Sequence, residues 1–235
     1  MPTAIEPRTD QRVRRQWWPD ALALAGFVAL TVALANGHLL ALDEAVADWV
    51  DGHRPAPLYW TLRVFNYLGQ GGQVLMPVAL LLTALAWWRL RSWRVAVPFA
   101  AGFVITYVTI GPLKIWLDRA APHFAGPDRE ILFNPFADGE KAMSYPSGHV
   151  ANAIVWYFVI ALLLGVVLRT PLSPRATVLL RVVPPAIVFV TTTYLAFHWI
   201  TDSVAGLLLG LVLGRVLARL PLLEPGSRPH HALDL

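Results

Sequence analysis

Apolar residues in this chain come in long uninterrupted runs separated by short polar stretches, and that pattern predicts helices that cross a membrane. The first run, Ala21–Leu42, has 22 residues without a formal charge, enough for a helix to cross about 30 Å of hydrocarbon and too long for the apolar part of a signal peptide. Five more spans follow, near Gly72–Trp88, Val95–Pro112, Val150–Leu168, Val182–Trp199 and Ser203–Leu220. In the last, Arg215 and Arg219 interrupt the end and are expected to snorkel to the interface. Apolar residues at Leu42, Val46, Trp49 and Val50 have the spacing of a short amphipathic helix, lying on the membrane surface or packed on the bundle. The stretch Tyr67–Gln73 is glycine-rich and reads as a flexible lead-in to the second span. The prediction is an all-α membrane protein with six transmembrane helices in one bundle and a short amphipathic outer helix after the first span. One membrane domain, 21–220, lies between cytoplasmic tails at 1–20 and 221–235.

Composition agrees: 56% of residues are hydrophobic and 14% charged, with a mean hydropathy of +0.53, far more apolar than a soluble domain. There is no cysteine, which excludes disulfides and thiolate metal sites. The sequence pI near 9.8 invites a nucleic-acid reading, but the basic residues form no single patch. They follow the membrane instead. With a cytoplasmic N-terminus, thirteen of the nineteen basic residues fall inside, among them Arg12, Arg14, Arg15, Arg89, Arg91 and Arg94. That is the positive-inside pattern, and it puts both termini in the cytoplasm.

On this topology the unusual polar residues gather at the outer face. Lys114 and Arg119 end the third helix, Ser147 and His149 begin the fourth, His198 ends the fifth and Asp202 begins the sixth. Ionisable groups near membrane depth are functional candidates. Tyr145–His149 reads YPSGH. Its ordinary interpretation is a helix start capped by Ser147; the functional one adds free N–H groups at Gly148 for an anion and a proton donor in His149. In His198–Asp202, HWITD, a helix would bring imidazole and carboxylate onto one face, orienting the ring as a nucleophile or base. The same pair could be half a metal site, but the nearby cations Lys114 and Arg119 repel a metal and attract phosphate. Either cation alone would pass as an interface anchor.

The set resembles the type 2 phosphatidic acid phosphatase superfamily, membrane lipid phosphatases related to vanadium haloperoxidases, whose motifs are K-x6-R-P, P-S-G-H and S-R-x5-H-x3-D. Pro146–His149 is intact, as is the His198 to Asp202 end of the third motif. Two arginines are missing: Ala121 precedes Pro122, and Thr191-Thr192 stands where Ser-Arg is expected. Arg119 is two positions early, and Arg129 or His123 is a further candidate donor. The resemblance implies an integral membrane enzyme with its active site on the extracytoplasmic side of the cell membrane. His198 would form a phosphohistidine, oriented by Asp202, with His149 as proton donor. Lys114, Arg119, Ser147 and Gly148 would hold the phosphate without a cofactor or metal. Its partners would be a phosphorylated lipid, such as a polyprenyl phosphate or diphosphate, phosphatidic acid or phosphatidylglycerol phosphate, and the surrounding membrane lipids. Phosphotransfer to an alcohol, or phosphate-lipid binding without turnover, would use the same residues.

Overall fold

The computed structural model describes residues 16–137 and 142–223. Among the described residues, six helices are long and apolar enough to cross a membrane. They are α1 (Trp18–Ala35), α4 (Met76–Leu90), α5 (Val97–Leu117), α6 (Gly148–Leu168), α7 (Pro174–Tyr194) and α8 (Ile200–Arg219). A π-turn at Gly71–Leu75 lengthens α4 and a 3₁₀ turn at Trp93–Ala96 lengthens α5. Two shorter helices, α2 (Leu40–Gly52) and α3 (Ala56–Asn66), lie between α1 and α4. The expected outer helix is α2; α3 is an addition to the expectation. With six crossings, the two ends of the described chain lie at one face and the α2–α3 pair at the other.

Local chemistry moves several expected boundaries. The first span begins at Trp18, inside the predicted tail, and stops at Ala35, because Gly37 (φ 77°) and Leu39 (φ 70°) take left-handed backbone conformations that end a helix. The fifth span starts eight residues before Val182, where Ser173 accepts a hydrogen bond from the Ala176 N–H at 3.2 Å and Pro174 fills the first turn. It also ends early, so His198 lies in the α7–α8 connection rather than on a helix.

Burial ranks the helices. The share of the apolar window that is buried reaches 56% in α6 and α8 but only 17% in α1, so α6 and α8 form the inner pair. The outer helices turn residues such as Leu22, Val32, Leu80, Leu81, Val104 and Val108 outward, as lipid contact requires. A row of glycines brings the inner pair together. A Cβ at Gly206 would collide with the Ser147 carbonyl oxygen, and one at Gly210 would lie 2.8 Å from Ile154 Cδ1 and 3.0 Å from Ala151 Cα. Close approach at small residues is how helices associate where no water drives them together. It sets the start of α8 directly against the start of α6.

One expectation gains a partner and another is corrected. Arg215 and Arg219 both pair with the buried carboxylate of Asp20 on α1, Arg215 at 2.9 Å. The glycine-rich stretch before α4 is packed rather than loose. A Cβ on Gly69 would sit 2.5 Å from Val188 Cγ1 and 3.3 Å from His149 Cβ, and one on Gly71 would sit 2.9 Å from Asn152 Cγ. The segment 67–75 is therefore pressed onto α6 and α7 beside His149.

Candidate active site

The α7–α8 connection builds the centre. Its backbone folds back on α7, with the N–H groups of Phe197 and His198 both donating to the Thr192 carbonyl, at 3.1 and 3.3 Å. Trp199 is the N-cap of α8, and Asp202, three residues on, accepts the Trp199 N–H on Oδ2 at 3.0 Å. This capping arrangement, rather than a shared helix face, brings Asp202 beside His198. The Asp202 Oδ2 to His198 Nδ1 distance is 3.5 Å. The α8 start is tied to α6 through the Ser147 N–H, which donates to the Asp202 carbonyl at 2.9 Å.

His198 is 6% exposed. Ser144 Oγ lies 3.3 Å from its Nδ1 and donates to Asp202 Oδ2. A hydroxyl that donates to the carboxylate is left to accept the Nδ1–H, so the Ser144–Asp202 pair favours the tautomer whose lone pair is on Nε2. That nitrogen faces His149 Nδ1 at 3.3 Å. Burial holds the His198 ring below the ordinary imidazole value, against the opposing pull of the Asp202 carboxylate. The neutral ring, with its lone pair on Nε2, therefore persists to lower pH than a free imidazole. Titrating the imidazole resonances of the detergent-solubilised protein is expected to place the His198 midpoint below about 6.5, with assignment from its disappearance in His198→Ala. A midpoint above that value would mean that Asp202, not burial, governs the ring.

A cavity of about 510 Å³ opens over these groups, and Lys114, Ser144, Gly148, His149 and His198 all line it. Lys114 comes from the last turn of α5 and donates to the carbonyls of Met143 and Ser144. It reaches across the start of α6 because residue 148 is glycine: a Cβ there would be 3.0 Å from Lys114 Cε. The N–H groups of Gly148 and His149, the first two of α6, have no acceptor within the helix and are available to an anion. Five sequence-nominated residues, Lys114, Gly148, His149, His198 and Asp202, thus converge, the last from behind His198.

Two nominated residues do not face the cavity. Ser147 is fully buried and caps α6, its Oγ accepting the Val150 N–H at 3.5 Å; the ordinary interpretation describes it. Arg119 is also fully buried, and its guanidinium is spent within the protein. Nη1 donates to Asp202 Oδ1 at 2.6 Å and Thr201 Oγ1 at 2.8 Å, Nη2 to Asp43 Oδ2 at 2.7 Å, and Nε to the Glu130 carbonyl at 2.8 Å. It supports the Asp202 carboxylate from behind and does not face the cavity. Burial works against its charge, but Asp202 and Asp43 outweigh that and hold its pKa above the ordinary arginine value. Of the two further candidates, His123 lines the cavity, whereas Arg129 bonds the Pro122 carbonyl at 2.8 Å and lies over the Trp199 ring.

Two residues that sequence reasoning did not nominate complete the arrangement. Ser144 precedes the P-S-G-H motif by two positions and belongs to no recognisable spacing; its N–H donates to the Arg119 carbonyl at 2.8 Å, which positions it. Asp43 is carried in by α2, where it is 1% exposed and accepts from Arg119 and from the Thr201 hydroxyl at 2.6 Å. Among the described residues, no three His, Asp or Glu side chains form a candidate metal site.

Residues 95–223, more than half the chain and all of the nominated site, match the PAP2 superfamily. The chain belongs to the PAP2 superfamily. A curated relative, phosphatidylglycerophosphatase B of Bacillus subtilis (strain 168), is 26% identical over 190 residues, spanning 78% of this chain and 85% of the relative. The fold matches the crystal structure of a transmembrane PAP2-type phosphatidylglycerolphosphate phosphatase from Bacillus subtilis. That TM-score is 0.69 at 23% identity, over 86% of this chain and 94% of the other. Against the family motifs, the two departures have distinct settings. Ala121 lines the cavity, while Thr192 is wholly buried behind the His198 turn. Neither supplies a cation.

Proposed function

We propose that this multi-pass membrane enzyme is a lipid phosphatase that removes a terminal phosphate on the extracytoplasmic side, through a phosphohistidine on His198. The observation that carries the reading is the pair of imidazoles 3.3 Å apart at a cavity holding Lys114, with Asp202 and Ser144 behind the nucleophilic ring. The family and the Bacillus subtilis phosphatidylglycerophosphatase match support the lipid substrate class, and the distribution of arginines supports the side.

The chemistry follows from the proton placements. His198 Nε2 attacks phosphorus and forms the P–N bond while the ester P–O bond breaks. His149 gives its proton to the departing lipid oxygen, then takes one from the water that attacks phosphorus and breaks the P–N bond. Lys114 and the leading N–H groups of α6 face the charge on the non-bridging oxygens. A 3.3 Å gap between the two rings is too narrow to hold a phosphoryl group, so substrate arrival parts them. The same phosphohistidine serves hydrolysis or transfer, depending on whether water or an alcohol attacks it.

The test is phosphate release by purified protein in detergent micelles, across phosphatidylglycerophosphate, phosphatidic acid and polyprenyl mono- and diphosphates. Release from at least one is expected, with the phosphatidylglycerophosphate arm favoured by the relatives. A folded, monodisperse protein that binds one of these lipids and releases nothing would instead establish a binding protein.

A further inference from the structure

With Ala121 and Thr192 in place of arginines, the family's usual guanidinium groups are gone from the cavity, but Arg63 stands beside it. Arg63 is on α3, half-buried, and among the described residues no carboxylate pairs with it. Its Nη1 donates to the Tyr59 hydroxyl at 3.0 Å, and the guanidinium lies 5.6 Å from the Phe197 ring and 6.0 Å from that of Tyr59. The helix is anchored there by Asn66, whose Nδ2 donates to Thr191 Oγ1 at 3.1 Å. Arg63, Asn66, Tyr67 and Gln70 line a side cavity of about 170 Å³ that shares Gln70, His149 and Phe197 with the main one. At about 30 Å³ per water, that is the volume of roughly five or six waters, room for a phosphate group and too little for a full acyl chain.

The position relative to the two imidazoles identifies what the group is. His149 borders both cavities, whereas His198 lines only the main one. The His149 nitrogen turned away from His198, Nε2, is buried and has no hydrogen-bond partner among the described residues. On the mechanism proposed above, on which this inference rests, His149 stands on the leaving-group side. A cation reached past His149 therefore meets the leaving alcohol, not the transferring phosphoryl group. We infer that Arg63, with Tyr67 and Gln70, forms a subsite for a second phosphate retained on the lipid product. That group is the phosphodiester of a phosphatidylglycerophosphate or the inner phosphate of a lipid diphosphate. A guanidinium suits it because it keeps its charge at a half-buried site and offers paired donors. The subsite makes the enzyme selective for lipids carrying two phosphates.

The test compares kcat/KM for three lipids in mixed micelles: phosphatidylglycerophosphate, a polyprenyl diphosphate, and phosphatidic acid, which has one phosphate. In Arg63→Ala the ratio for a two-phosphate lipid over phosphatidic acid is expected to fall by about tenfold, mainly through KM, the loss typical of one charged hydrogen bond. Arg63→Lys should recover part of it by keeping the charge without the fork. A loss on phosphatidylglycerophosphate alone identifies the phosphodiester, and a loss on the diphosphate alone the inner phosphate. Equal losses on all three lipids, an unchanged ratio, a fall in kcat at constant KM, or wild-type turnover confined to one-phosphate lipids would each overturn the inference. Those outcomes leave the phosphatase reading intact. Wild type inert on all three and on a polyprenyl monophosphate instead defeats that reading. Should Arg63→Ala fail to fold, Arg63→Gln carries the same measurement.

Discussion

His198→Ala is expected to lower phosphate release from the best lipid substrate by on the order of 10⁴-fold, the scale seen when a nucleophile that acts together with its partners is deleted. The loss is chemical. Without the imidazole no P–N bond forms, and a water in its place lacks the lone pair that burial and the Ser144–Asp202 pair hold on Nε2. The fold should survive, because the ring makes only long polar contacts, 3.3 Å to Ser144 and to His149 and 3.5 Å to Asp202. The measurement pairs phosphate release with thermal melting of the detergent-solubilised protein, and adds trapping of an acid-labile phosphoprotein during turnover. Wild type should show the labelled intermediate and His198→Ala should not, with melting shifted by no more than a few degrees. Retention of more than about one per cent of the activity would exclude His198 as the nucleophile. Labelling that persists in the variant would move the covalent step to another residue, with His149 the first to suspect.

The parts of this centre that were legible in the sequence are those written in local chemistry. Six apolar runs, their basic flanks and the P-S-G-H and H-x3-D spacings carry His149, Gly148, His198, Asp202 and Lys114 to one face, and the structure brings them together there. The less legible parts depend on contacts between distant segments. Nothing near Arg119 in the chain announces that Asp43, 76 residues earlier, and Asp202, 83 residues later, will take its donors. An arginine two positions from an expected phosphate ligand reads as a shifted ligand until those partners are known. Ser144 is hidden for the same reason. The motif draws the eye to Ser147, which caps the helix, while a parallel bridge between Arg119 and Met143 delivers the next residue, Ser144, to His198. The i,i+4 pairing of His198 and Asp202 was right as a contact and wrong as a cause, because a helix cap brings them together. Arg63 was invisible as a site residue because α3 itself was not foreseen: its exposed Trp60, Val64 and Phe65 break the amphipathic pattern that marks a helix on a soluble surface.

Arg119→Ala is expected to act on the fold before it acts on the chemistry. The substitution leaves two carboxylates, Asp43 and Asp202, each no more than 1% exposed, without the cation between them. Breaking a buried ion pair by removing one partner costs about 3–5 kcal/mol, and here two pairs are broken along with bonds to Thr201 and the Glu130 carbonyl. For a chain of this size that is a fall in melting temperature of roughly 10 °C, read by thermal unfolding in detergent and by the yield of monodisperse protein. Arg119→Lys should restore little, since one ammonium cannot reach two carboxylates, a hydroxyl and a carbonyl that a planar fork meets together. Asp43→Asn in the Arg119→Ala background should regain part of the loss, because it removes one of the stranded charges. The two changes are then less than additive, as neighbours in one network are. The alternative role, a guanidinium that clamps phosphate, makes the opposite forecast: unaltered melting, a weakened response to lipid phosphate, and no benefit from Asp43→Asn. Arg119→Ala that melts like wild type but releases phosphate slowly would show that the guanidinium leaves its carboxylates to meet the substrate, and the Asp43–Arg119–Asp202 chain would then be a resting state instead of a scaffold.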